Sequence, residues 1–128
     1  MKKRLLSLLL VAAMVFALVA CGSTDGDKKS DYKIGIVTGT VSQGEEEYQM
    51  AQDLQKKYGK DKIVTATYPD NFDKETEQTI QVVTTMASDP AVKVIVFVQA
   101  VPGATAAINK VKETRDDILF IAGVCAES

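Results

Sequence analysis

The side chains able to do chemistry in this sequence gather after three apolar runs. "TGTVSQGEEEY" supplies Thr38, Thr40, Ser42 and Gln43, "TYPDNF" supplies Tyr68, Asp70 and Asn71, and "VQAVPG" supplies Gln99 and Pro102. Apart from Asp70 and the proline these are hydroxyl and amide groups, which hydrogen-bond a solute more readily than they attack one. Histidine is absent from the chain, which removes the commonest general base and the commonest metal ligand. Gly39 and Gly44 have the spacing of a phosphate loop's glycines, but Glu45 and Glu46 stand where Lys and Ser/Thr are needed. The same phrase lacks the Gly-x-Gly-x-x-Gly of a dinucleotide-binding turn, and no nucleophile elbow or cysteine cluster is present. The chemistry expected is recognition, without catalysis and without a cofactor.

Each of these residues also has an ordinary structural use. Asp70 and Asn71 are turn formers and helix caps. Tyr68 and Phe72 can stack on a sugar or base ring, and can equally pack in a core. Gln99 closes the nearly unbroken apolar run Val92–Val98, where a polar side chain is expected to need a hydrogen-bond partner. Glu45 to Glu47 suit the positive amino end of a helix and would repel an anion there, with Glu47 a further candidate contact. No Lys or Arg is expected in the three loops. The ligand class expected is a neutral polar solute, sugar- or nucleoside-like.

The elements that must position these groups follow one rhythm. Lys33 to Thr38 reads as a strand, and Glu45 to Tyr58 as a helix with Tyr48, Ala51, Leu54 and Tyr58 on one face and Gly59 as its stop. Lys62 to Thr67 is a second strand. Asn71 or Asp73 caps a second helix through about Ser88, with Ile80, Val83, Thr84 and Ala87 at helical spacing. Val92 to Val98 and Ile118 to Val124 are apolar strands flanking a helix that carries Ala104, Ala107, Ile108 and Val111. Alternation of strand and helix predicts an α/β three-layer sandwich, Rossmann-like, with a parallel sheet. "KIVTAT" alternates apolar and polar, which suits an edge and gives the order 2-1-3-4. Ligands bind beyond the carboxyl ends of such strands, where the winding reverses. Here that point lies between the first and third strands, directly beside Thr38 to Gly44.

"KIGIV" in the first strand, and an apolar third strand followed by Pro102-Gly103, resemble the amino-terminal lobe of a type I periplasmic solute-binding protein, the ribose- and leucine-binding class. The likeness runs from Tyr32 to Ser128. "IVTGTVSQGEEEY", "TYPDNF" and "VQAVPGATAAI" are similar to a family of uncharacterised bacterial lipoproteins within that class. The resemblance implies two lobes that close on a small ligand, then delivery to an ABC-type permease or a signal to a membrane sensor, without chemistry. Members of the class continue well past the fourth strand into a second lobe, so residues 32–128 are expected to be an incomplete solute-binding lobe. Related repressors share the two-lobed fold but begin with a DNA-binding head.

This chain begins differently. Lys2, Lys3 and Arg4 precede a run from Leu5 to Ala20 whose one polar residue is Ser7. That run is shorter than the ~20 residues that span a bilayer, and it has the layout of a secretory signal, residues 1–20. Leu18-Val19-Ala20-Cys21-Gly22 resembles the lipobox of bacterial lipoproteins, in which the cysteine is lipidated and becomes the first residue. Residues 21–31 then lack any apolar side chain beyond Cys21 and read as a flexible tether. Loss of the three basic residues takes the net charge from −2 to −5, which gives no electrostatic footprint for nucleic acid. Cys125 is the other of two cysteines and reads as a small buried hydrophobe. The expected location is the extracytoplasmic face of the cell membrane. In cells expressing the full chain, Cys21→Ser should abolish incorporation of labelled fatty acid, and label retained by the variant would refute the anchor.

Overall fold

The computed structural model describes residues 31–124. The signal segment, Cys21, most of the tether and Cys125 lie outside the described residues. The elements are β1 (Lys33–Thr38), α1 (Val41–Tyr58), β2 (Ile63–Thr67), α2 (Thr76–Ala87), β3 (Val92–Phe97), α3 (Ala104–Lys112) and β4 (Leu119–Ala122). Their strands form one parallel sheet in the order β2-β1-β3-β4. Ile36 of β1 lies beside Thr65 of β2 and Val96 of β3, and Ile95 lies beside Phe120 of β4. The architecture is the Rossmann-like three-layer α/β sandwich, with β2 at an edge.

Alternation along the strands assigns the two faces. Val37, Ile95 and Phe97 point toward α2 and α3 and pack with Val83, Met86, Ala87, Ala107 and Val111. Ile36 points the other way, toward α1, and joins Ile63 and Ala51. A fully buried side chain of Val, Ile or Phe size contributes ~1.5–3 kcal/mol, so the α2/α3 face carries most of the apolar stabilisation. Of α1, Ala51 alone is fully buried.

The helix faces differ in detail from the periodicity. Tyr58 was placed on the buried face of α1, but its side chain is 53% exposed. The Lys57 ammonium lies over the Tyr58 ring at 5.1 Å. On α2 the buried residues are Thr79, Val83, Met86 and Ala87, while Ile80 and Thr84 flank them. The helix begins at Thr76, and its cap position is Glu75 with no side-chain cap. Neither Asn71 nor Asp73 caps it. Instead the Asn71 carbonyl accepts the N–H groups of Lys74 and Glu75, closing a separate turn ahead of the helix. Gly59 ends α1 as expected, at φ 91°, where a side chain would be strained.

β4 lies at the other edge. Its Phe120 stacks on Phe97, with ring centroids 6.4 Å apart, whereas Leu119 and Ile121 are 60% and 46% exposed on the opposite face. α1 packs mainly against β1 and β2, and that face of β4 is left exposed.

Arg115, in the turn before β4, holds the opposite end of the sheet together. Its guanidinium donates to the carbonyls of Ala87 at 2.8 Å, Asp89 at 2.9 Å and Val92 at 3.0 Å, and also to the Asp117 carboxylate. It therefore closes the carboxyl end of α2 onto the start of β3. With Lys93, Arg115 keeps the Asp117 carboxyl well below the usual carboxylate range. Arg115→Ala should cost about 2 kcal/mol in urea unfolding, because several part-buried carbonyls lose a donor at once. Arg115→Lys should recover little, since one ammonium cannot span the same carbonyls. Full recovery by lysine would show that charge alone suffices.

Candidate functional site

The loops leaving β1, β2 and β3 are all at one edge, because parallel strands end on the same side. Their backbones are tied to one another. The Tyr68 N–H donates to the Thr38 carbonyl at 2.9 Å, and the Val98 N–H to the Val37 carbonyl at 3.0 Å. The loop after β3 is in turn bonded to the end of β4, the Ala100 N–H donating to the Gly123 carbonyl at 3.0 Å.

Side chains add a second set of ties. α1 starts with a short turn, Val41 to Gln43, and Gly44 is non-helical at φ −168°, ψ 84°, so regular helix resumes at Glu45. The Thr40 N–H donates to Gln43 Oε1 at 3.0 Å as part of a capping box. The Thr40 hydroxyl also reaches Asp70 Oδ1 of the second loop. Ser42 Oγ donates to the same oxygen at 3.0 Å and lies 2.8 Å from Thr40 Oγ1. With Asp70 ionised, two hydroxyl protons serve these three short contacts, so the carboxylate takes the protons that Thr40 and Ser42 would otherwise share. Gln43 Nε2 completes the knot by donating to the Asp70 carbonyl at 2.9 Å. The hydroxyl donors keep Asp70 below its ordinary carboxylate value, Thr40 having the larger effect.

Tyr68 ties the second loop to the third. Its ring is 1% exposed within the α2/α3 core, and its hydroxyl donates to the Gln99 carbonyl at 2.6 Å. Burial, with a smaller contribution from the Glu47 charge, pushes the phenol well above its ordinary value, so it remains a donor. Gly103, just ahead of α3, sits at φ 92°, and an added Cβ there would lie 3.1 Å from the Thr76 carbonyl oxygen. The amino ends of α2 and α3 approach closely at that point, and only glycine fits both the angle and the space.

The sequence-derived residues thus fall on one edge, but not in equivalent roles. Thr40, Ser42, Gln43, Asp70, Asn71, Gln99 and Pro102 are exposed or half-exposed there. Thr38 is 1% exposed and its hydroxyl donates to the adjacent Gly39 carbonyl, so it belongs to the interior. Tyr68 is likewise inside, and Phe72 packs partly against the same core; the expected ring-stacking surface is turned inward. Gln99 was expected to need a partner because it ends an apolar strand. Its side chain is exposed and meets water, and the satisfied group is its carbonyl. Lys74 falls in the second loop, because α2 begins later than its periodicity suggested. The Thr40-x-x-Gln43 spacing is a signal that could have placed the helix start ahead of Glu45, whereas no spacing marks the Pro69 and Asp70 carbonyls that Gln43 reaches. Among the described residues no cluster of three or more His, Cys, Asp or Glu is arranged to hold a metal ion. An open groove of about 440 Å³ lies elsewhere, between α2 and α3, lined by Gln78, Gln81, Thr84 and Lys110 among others.

Fold and edge together define a Rossmann-like α/β lobe with its polar loops gathered at the winding reversal. The chain belongs to the family described as protein of unknown function (DUF3798), whose model matches residues 32–128. It is 29% identical over 136 aligned residues to an uncharacterised protein of Treponema pallidum (strain Nichols), an alignment covering 96% of this chain and 62% of that protein. It is also similar to a crystal structure from Clostridium difficile 630 whose protein is provisionally described as a transcriptional regulator. There the TM-score is 0.62 at 29% identity, over 71% of this chain and 28% of the other. The chain thus spans less than two thirds of the length of each relative.

Asp70 supplies a pH test of the knot. A carboxyl held low in the folded state contributes stability above the unfolded pKa of about 3.9, and that contribution is lost as pH falls through the folded value. In carboxyl-detected NMR, Asp70 should titrate below the ordinary carboxylate value, and Thr40→Val with Ser42→Ala should bring it back up. An unmoved Asp70 in the double variant would remove the hydroxyls as the cause.

Proposed function

We propose that this protein is a lipid-anchored extracytoplasmic solute-binding protein. It would hold a small neutral polar ligand, sugar- or nucleoside-like, and deliver it to an ABC-type transporter without catalysis. The observation that carries this reading is the tying of three loops to one another at the winding reversal. The Asp70 knot joins the first loop to the second, and the Tyr68 hydroxyl joins the second to the third. Asn71, Gln99 and Pro102 are left exposed beside those ties. A held loop set presents its free donors and acceptors at fixed positions, which lowers the ordering cost of binding. The likeness of residues 32–128 to the amino-terminal lobe of type I periplasmic binding proteins supports the same reading. In that class a second lobe would close over this edge. The lipobox-like Leu18–Gly22 supports the anchor and the location.

A second reading, a ligand-sensing surface receptor, uses the same edge and differs only in what the occupied protein touches. A DNA-bound regulator fits less well, since the lipobox-like start and the negative charge both oppose nucleic acid.

The test is thermal denaturation of the full chain with a panel of neutral sugars and nucleosides, set against anionic sugars. A neutral member should raise the midpoint, and Asn71→Ala with Gln99→Ala should abolish the rise while leaving the ligand-free midpoint within about 2 °C, as expected for exposed side chains. Stabilisation by anions alone, or stabilisation that survives both substitutions, would overturn the assignment.

A further inference from the structure

The two edges of the sheet differ in charge as well as in shape. Among residues 31–124 there are ten Lys and Arg, and nine of them lie between the last turn of a helix and the start of a strand, at the edge opposite the loops described above. Six acidic residues share that edge, leaving it at +3. The loop edge carries seven acidic residues against Lys74 alone, a balance of −6. Lysines in the last turn of a helix complement its dipole, which accounts for Lys56, Lys57, Lys110 and Lys112. It does not account for Lys33, Lys60, Lys62 and Lys93, which lie on strand starts and in loops. Four basic groups are already paired at this edge, Lys33 with Asp89, Lys93 and Arg115 with Asp117, and Lys110 with Glu113. Lys56, Lys60 and Lys112 have no carboxylate partner among the described residues.

Two further observations fall on the same edge. Tyr32 and Tyr58 are 45% and 53% exposed there, the two most exposed aromatic side chains described. An amphipathic ring of that kind is favoured at a bilayer's headgroup level. The chain also enters the lobe at this edge, since Tyr32 immediately precedes β1, and the segment leading to it carries Lys28 and Lys29.

We propose that the amino-end edge of the sheet docks on anionic phospholipid headgroups through Lys56, Lys57, Lys60 and Lys112, with Tyr32 and Tyr58 at headgroup depth. The loop edge, repelled by the same surface, then faces away from the membrane. The proposal rests on the lipid-anchor reading for bringing the edge to the bilayer, while the surface itself is argued from the lobe alone.

The chain has no tryptophan, so a single introduced one reports its own surroundings. The full chain, purified with its lipid, is reconstituted in phosphatidylglycerol vesicles and separately in phosphatidylcholine vesicles. Tyr58→Trp emission should shift to the blue on phosphatidylglycerol only, and should return at about 1 M salt, where the screening length falls to ~3 Å. Lys56→Gln, Lys57→Gln and Lys60→Gln together should remove the shift, each charge being worth several-fold in local binding. Val41→Trp, at the opposite edge, should not respond. Equal Tyr58→Trp emission on the two lipids, or an equal response from Val41→Trp, would overturn the proposal. Flotation with phosphatidylcholine vesicles reads the anchor by itself. Its absence would refute the lipid at Cys21, and the emission comparison would still judge the edge.

Discussion

Every strand in the sheet points the same way, and most of what this molecule can do follows from that. A parallel sheet with helical crossovers returns each connection to the same edge, so three unrelated loops become neighbours without any long-range sequence signal. The same constraint sends the carboxyl ends of the helices, and the lysines that complement their dipoles, to the other edge. One edge therefore gathers hydroxyls, amides and carboxylates, and the other gathers ammonium groups and the chain's point of entry. Reversing one strand would divide both sets. The fold thus has a chemical polarity that no single element possesses.

The ties across the loop edge are unequal in strength. The Asp70 knot is exposed, so each of its bonds exchanges with water and contributes little net stability. The Tyr68 bond sits over a buried ring, and its loss would strand the Gln99 carbonyl at the margin of the core. The interior contact therefore fixes where the second and third loops meet, while the exposed knot fixes only the orientation of the first loop against the second. The deeper contact keeps the frame, and the outer one adds local order between the first two loops.

Periodicity revealed the elements well where one face is fully buried, and poorly where it is not. The α3 pattern of Ala104, Ala107, Ile108 and Val111 matches its buried side because Gly103 lets the helix pack closely. On α1 the same reasoning misplaced Tyr58, since periodicity marks a side of the helix but not how far along it the burial extends. On α2 the pattern gave the helix but not its start. Asn71 and Asp73 have the side chains of caps, yet the backbone turn at Asn71 used the carbonyl first. The loop residues were legible as polar groups at strand ends. Which of them would be turned inward was not, because β1 ends at Thr38, so the buried Thr38 and the half-exposed Thr40 stand only two residues apart across the end of the strand.

The charge of the loop edge is the strongest constraint on what can sit there. An approaching anion would meet Glu45, Glu46, Glu47, Asp70, Asp73 and Glu75 with Lys74 alone to offset them. At ~4 Å one such pair costs about 1 kcal/mol even in bulk water, and roughly four times that at the effective dielectric of a protein surface. The screening length of ~8 Å at physiological salt is comparable to the spacing of neighbouring loops, so several of the carboxylates would act together. The first turn of α1 carries no acidic residue, yet Glu45, Glu46 and Glu47 follow it directly and oppose an anion at its N–H groups. A neutral solute avoids the penalty and gains from the same groups, since carboxylate and amide oxygens accept from hydroxyls without charge repulsion. On the proposed reading, acidic loops that would repel a phosphate remain compatible with a sugar.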